Sequence, residues 1–278
     1  MFARSLTGTL ILPVALLGSV LPSSAQFRRV VPDNMVNTAV YAGGNIRFCI
    51  NPVSSLAEFD RALGQTLADI LLVPAEFYEL KYAIEPAPWG YDLAIGEEDL
   101  FIQISENCDA VLGFPMPFMD LTYDWLTTTS PYYTPRFMLA FSKDAPPALD
   151  QLPEGSEFGS RVGTLSDMQV RAYARSSANK LKRRVYASNV SLIRALAAGD
   201  LLAAVVWEPA VSIAAQTEPG AGDIQIVAPP FSVEPQPFAI ALPSNQTYLR
   251  EMLDSAISQL RAGEEFSGLL TEFELPGE

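Results

Sequence analysis

From residue 46 to residue 114, short β-type runs alternate with amphipathic helical ones, and that order leaves few folds open to the chain. Ile46-Arg47-Phe48-Cys49-Ile50 is a strand-like run stopped by Asn51-Pro52. Leu56, Phe59, Leu63, Leu67 and Ile70 then recur at helical intervals, and Ser55 stands three residues before Glu58, the spacing of a capping box. That helix ends before Pro74. A second strand is predicted over Glu79 to Glu85, and a second helix over Glu97 to Ser105, where acids occupy the favourable first turn. A third strand is predicted over Asp109 to Phe114. Strands joined through helices run parallel with right-handed crossovers, because only a long connection returns the chain to the same end of the sheet. The first unit is therefore α/β.

Arg136 to Phe141 reads as a further strand, and Ala145-Pro146-Pro147 opens a second α/β unit. In it, Ser160 to Val162 is strand, Gly163-Thr164 turn, and Ser166-Asp167 the cap of a helix reaching about Arg175. Leu192, Ala195 and Leu196 give a helix stopped at Gly199, followed by the apolar strand Leu201 to Trp207. Pro235 to Leu242 is a last, crossing strand. Leu249, Met252, Leu253, Ala256, Ile257 and Leu260 form a helical stripe closed by Gly263, predicted to pack back on the first unit. The expected organisation is one discontinuous lobe of residues 45–138 and 238–278, a second lobe of residues 139–237, and an N-terminal arm over residues 26–44.

Residues 1–25 carry one positive charge at Arg4, an apolar run broken by Pro13, and Ser23-Ser24-Ala25 before Gln26, the pattern of a signal peptide cut after Ala25. Such a leader predicts a periplasmic protein with no membrane insertion after cleavage. The mature chain would hold 17 cations against 32 acids, a field that repels nucleic acid. Without a histidine, Ser-His-Asp and Cys-His mechanisms, histidine metal triads and imidazole acid-base work are all closed to it. Two cysteines, Cys49 and Cys108, make a poor metal site and, in an exported protein, one expected disulfide. Neither a metal nor a cofactor is implied. Asp120 and Asp124 are an acid pair near the predicted cleft, but carboxylates on loops are ordinarily solvated, and no catalysis is expected. The basic run Lys180, Lys182, Arg183 and Arg184 reads as a solvated helix end, with a partner-facing role as its alternative.

Over about 230 residues the chain resembles the periplasmic solute-binding proteins of the amino-acid-type family 3 class. The matching pieces, in order, are Arg47-Phe48-Cys49, Glu58-Phe59-Asp60, Asn107-Cys108-Asp109-Ala110-Val111, Ser130-Pro131-Tyr132-Tyr133, Val162-Gly163-Thr164, Ala197-Ala198-Gly199-Asp200 and Phe238-Ala239-Ile240-Ala241. The resemblance implies the two-lobed, type II periplasmic-binding fold, each lobe a mostly parallel sheet flanked by helices, with two crossing hinge strands. It also implies a small-molecule ligand between the lobes and an ABC permease as partner. The cysteine pairing, Leu126-Thr127-Thr128, Pro131-Tyr132-Tyr133 and Val205-Val206-Trp207 with Pro209 are similar to a narrower branch, the accessory proteins of quinoprotein (PQQ-dependent) methanol dehydrogenases. Its partner would be the dehydrogenase or a c-type cytochrome.

In that family the ligand touches the loops that follow the strands, where backbone amides and helix N-termini face the cleft. The corresponding candidates are Asn51, Phe114, Phe118, Thr122, Ser130, Tyr132, Thr164, Trp207 and Glu208. Trp207 fits core packing equally well, and Ser166 is a helix cap before it is a ligand contact. Amino-acid-binding members place a carboxylate-clamping arginine at the position that falls near Thr122 here, and the only arginine between Arg47 and Arg136 is Arg61, on the first helix. The acid expected to hold an amino group is displaced by one residue, with Trp207 in its place and Glu208 after it. A ligand other than a free amino acid is the expectation.

Overall fold

A computed structural model of the chain describes residues 41, 43–52, 54–81, 95–116 and 123–277. The chain divides into Met1–Val30 and Val31–Glu278, and all described residues belong to the second of these. The predicted signal peptide and most of the arm lie outside them.

The first strand, β1 (Ile46–Ile50), is buried on both faces, as a strand with helices above and below must be. The helix after it, α1 (Ala57–Ile70), turns Phe59, Leu63 and Leu67 inward as its periodicity predicts. The expected capping box at Ser55 and Glu58 does not form. A tight turn, in which Ser54 N–H donates to the Asn51 carbonyl at 3.1 Å, delays the helix to Ala57, and the Ser54 hydroxyl accepts from Leu56 N–H at 3.1 Å instead. Gly64 of α1 sits against the sheet so closely that a Cβ there would stand 2.6 Å from Leu112 Cδ1.

The second strand, β2 (Ala75–Glu79), begins directly after Pro74 rather than at Glu79. Pro74 stops the helix as expected, but its carbonyl also accepts Ile46 N–H at 2.9 Å, which starts the pairing of β1 with β2 at once. Residues 82–85 of the predicted strand lie outside the described residues. Then come α2 (Glu97–Asn107), β3 (Ala110–Pro115) and β4 (Leu126–Thr128), the last too short to announce itself in the sequence.

The second half holds β5 (Phe137–Phe141), β6 (Glu157–Arg161), α3 (Leu165–Ser176), β7 (Lys182–Tyr186), α4 (Asn189–Ala197), β8 (Ala203–Trp207), α5 (Glu208–Thr217) and β9 (Gln225–Val227). The chain returns through β10 (Phe238–Pro243) to α6 (Thr247–Ala262) and α7 (Glu265–Glu272). Two features here depart from expectation. Lys182, Arg183 and Arg184 form an edge strand, not a helix end; a basic, exposed edge strand resists unwanted pairing, which a sequence window cannot distinguish from a solvated helix. The helix after β6 is capped by Thr164, whose hydroxyl accepts Asp167 N–H at 3.2 Å, and Ser166 lies within the first turn, two residues past the cap.

Two five-stranded sheets result, in the orders β2-β1-β3-β10-β4 and β7-β6-β8-β5-β9. They share one plan. Three parallel strands stand beside a fourth, antiparallel strand that arrives from the opposite half: β10 in the first sheet and β5 in the second. The boundary expected at residue 138 cuts through β5, where Phe137 and Met138 pair with Trp207 and Val206 of the second sheet. The chain leaves the first sheet earlier, after β4. On one face of the first sheet α6 packs against α1, with α7 against both. The other face carries a separate apolar cluster built from Leu100 and Ile104 of α2, Cys49, Cys108, Val111 and Trp125.

Candidate ligand cleft at the crossing segments

Two segments carry the chain between the sheets, residues 129–136 and residues 228–237, and they are hydrogen-bonded to each other. Phe238 N–H donates to the Tyr133 carbonyl at 2.8 Å, Tyr132 N–H to the Phe238 carbonyl at 2.9 Å, and Gln236 N–H to the Pro135 carbonyl at 3.2 Å. Both sheets present the same strand ends to this joint. Met116, just past β3, donates N–H to the Pro237 carbonyl at 2.9 Å, and Glu208, just past β8, donates N–H to the Arg136 carbonyl at 3.0 Å. β1 runs parallel to β3 and β6 parallel to β8, so the loops that follow all four strands emerge on the side of the crossing segments.

The predicted site residues divide by burial. Asn51 is buried and its carbonyl closes the turn before α1. Phe114 is half-buried beside the Trp125 cluster. Ser130 is exposed, and its N–H donates to Asp254 of α6 at 2.6 Å, pinning the first crossing segment to that helix. Thr164 is half-buried with its hydroxyl spent: it accepts Asp167 N–H and donates to the Arg161 carbonyl at 2.8 Å. Trp207 is fully buried, its ring centroid 5.9 Å from that of Phe238, so it packs the joint instead of lining a surface. Glu208, its side chain 13% exposed, faces Arg136 at 3.4 Å. Phe118 and Thr122 lie outside the described residues.

Tyr132 is also fully buried, within a polar network the sequence reading did not single out. Its hydroxyl donates to Asp60 Oδ1 at 2.5 Å and accepts Gly113 N–H at 2.9 Å. Burial pushes the Asp60 carboxyl up to about 7, outweighing the Tyr132 hydrogen bond that lowers it. Burial, then the neighbouring Asp60, holds the Tyr132 hydroxyl well above its ordinary range. A signal for Asp60 was present: it falls four residues after Leu56 and three before Leu63, on the apolar stripe of α1. In the second lobe Asp167 accepts two hydrogen bonds from Arg183, each 2.6 Å, and one from Ser160 at 2.8 Å. Burial would raise this carboxyl, but those bonds and the Arg183 charge hold it below its usual value.

Cys49 and Cys108 form a disulfide with 5.6 Å between their Cα atoms, linking β1 to the residue that leads into β3. Trp125 packs in the same cluster, donating its indole N–H to Glu97 at 3.0 Å and meeting Phe101 edge-on with centroids 5.0 Å apart.

No family model and no curated protein matches the chain in sequence. Solved structures do match in architecture. The second substrate-binding domain of GlnP from Lactococcus lactis, in an open conformation, is 16% identical with a TM-score of 0.63, over 85% of this chain and 98% of that one. This is the two-lobed, type II periplasmic-binding fold. An ancestral arginine-binding protein bound to arginine is 20% identical with a TM-score of 0.52, over 84% of this chain and 99% of that one. An ancestral amino-acid-binding protein described as a precursor of cyclohexadienyl dehydratase is 16% identical with a TM-score of 0.52, over 83% and 95%. At such identities it is the fold that is shared. Within this two-lobed fold, the paired segments 129–136 and 228–237 are the connections about which the lobes are joined.

Proposed function

We propose that the chain is a periplasmic binding protein that holds a small solute between its lobes, delivers it to an ABC importer, and catalyses no reaction. The observation that carries this reading is the joint itself: two hydrogen-bonded crossing segments, with the exits of β3 and β8 tied to them. Such a joint lets two rigid sheets close by rotation about a few residues. The substrate-binding domain of GlnP and the ancestral arginine-binding protein, built on the same fold, support a binding role.

The ligand we infer is not a free α-amino acid. Glu208, the acid nearest the position that would take an amino group, already faces Arg136. The Thr164 hydroxyl is occupied within its own helix cap. A carboxylate entering a closed cleft without a charged partner loses several kcal/mol of hydration. An apolar or aromatic solute fits better, with half-buried Phe114 as one wall.

Calorimetry with the twenty amino acids and a panel of aromatic and apolar solutes tests both parts. Binding of a solute from the panel, with a fall in radius of gyration in solution scattering, is the expected result. A submicromolar amino-acid affinity, about −8 kcal/mol or stronger, would falsify the ligand class. Turnover of the bound solute would overturn the non-catalytic reading. If nothing small binds and the protein instead co-purifies with a quinoprotein dehydrogenase or a c-type cytochrome, the accessory role replaces transport.

A further inference from the structure

The charge of the chain is distributed unevenly. From Glu154 to Tyr186 it holds seven cations against three acids, whereas the rest holds eleven cations against twenty-nine acids. All three acids of that stretch are engaged: Asp167 with Arg183, Glu157 with Arg184 and Glu154 with Lys180. Arg171, Arg175 and Lys182 are exposed and have no acidic partner among the described residues.

The fold gathers Arg171 and Arg175 on one surface, and Lys182 stands on the adjoining edge strand, projecting from the face opposite Arg183. α3 buries Val170 and Ala174 against the second sheet, and Asp167 clamps its first turn to Arg183 of β7. The opposite side of the helix is set by three- and four-residue spacing: Met168, Arg171, Ala172 and Arg175, all exposed. Beside it β7 is the edge of its sheet, so one side of its backbone has no strand partner among the described residues. Apolar side chains interrupt the basic surface. Met168 is 65% exposed, Val185 of β7 is 43% exposed and Val162, whose N–H donates to the Tyr186 carbonyl at 2.9 Å, is 49% exposed. Exposed apolar groups rimmed by charge mark interaction sites, and Met and Arg are enriched at protein interfaces.

We infer that the outer face of α3 together with the free edge of β7 is a docking surface for an acidic protein segment that carries an apolar anchor. A local segment suits this surface better than an anionic bilayer. An extended negative plane meets the acidity of the whole chain, whereas a segment seated on the patch lies within about 8 Å of its cations, one screening length at physiological salt. The β7 edge adds main-chain hydrogen bonds for a partner in extended conformation. This surface is independent of the solute-binding reading and stands if that reading fails.

The test uses the full mature chain and a labelled synthetic peptide of alternating glutamate and leucine, read by fluorescence anisotropy at low and physiological salt. Saturable, salt-weakened binding is expected. Arg171→Glu with Arg175→Glu should weaken it about tenfold or more, and Met168→Ser severalfold, while Lys143→Glu, at an exposed cation elsewhere on the lobe, changes nothing. Arg171→Gln with Arg175→Gln serves if charge reversal disturbs folding, with an unchanged melting temperature as the control. Equal affinity for a pure polyglutamate peptide, or indifference to Met168→Ser, would show attraction without docking and overturn the inference. So would preference for phosphatidylglycerol vesicles over the peptide, a concentration-dependent dimer abolished by the arginine substitutions, or no binding at all.

Discussion

Tyr132 and Asp60 meet in the interior of the first lobe, the hydroxyl donating to Oδ1 at 2.5 Å with both side chains fully buried. Because the same hydroxyl accepts Gly113 N–H, the first crossing segment, α1 and β3 share one polar node. Asp60 Oδ2 has no hydrogen-bond partner among the described residues and lies where a Cβ on Gly113 would collide with it.

The first prediction concerns pH. The Asp60 carboxyl is raised from 3.8 to about 7, so the folded protein keeps a proton that the unfolded chain has released. The stability this proton contributes is complete below about pH 4 and is lost as the pH rises through about 7, a change on the order of 4 kcal/mol. Urea unfolding of wild type and Asp60→Asn from pH 4.5 to 8 measures it. Wild type should lose stability relative to the variant across that window, and the opposite slope would sink the assignment.

Removing the Tyr132 hydroxyl leaves two buried groups without their partner, Asp60 Oδ1 and Gly113 N–H. Tyr132→Phe should cost about 2–6 kcal/mol in chemical denaturation, from about 1–3 kcal/mol for each of the two unsatisfied groups. Gly113→Ala should be destabilising for two separate reasons, a φ of +69° and the collision with Asp60. Asp60→Asn should not rescue it, since an amide is no smaller.

The disulfide joins residues 59 apart in sequence. On the chain-entropy model a loop of that size is worth about 4 kcal/mol, so Cys49→Ser with Cys108→Ser should lower the unfolding free energy by about that much. A loss below about 1 kcal/mol would place the stabilisation of this region in the Trp125 cluster instead.

Arg183→Met tests the clamp between β7 and α3. Asp167 is held below its usual value chiefly against burial, so its contribution is present above about pH 4 and fades as the pH falls through its lowered value. The variant should begin acid unfolding at higher pH than wild type, seen by circular dichroism, and an unchanged midpoint would mean that Ser160 and Gly163 suffice.

Local order was largely legible in the sequence. β1 and α6 stand where alternation and the apolar stripe put them, because periods of two and 3.6 residues are local properties of a chain. The strand–helix order likewise determined the α/β class and the parallel pairing of β1 with β3. The site was less legible. Tyr132 and Trp207 sit in loops and strand ends of the kind that line clefts, yet both are buried, because their environments come from Asp60, 72 residues away, and from Phe238 across the joint. Lys182, Arg183 and Arg184 became an edge strand only because β6 lay beside them. The sequence by itself determined the strongly periodic segments, such as β1, α1 and α6, and which of their faces would be apolar. Tertiary structure alone decided which side chains remained exposed, because burial depends on segments that the chain brings together from far apart.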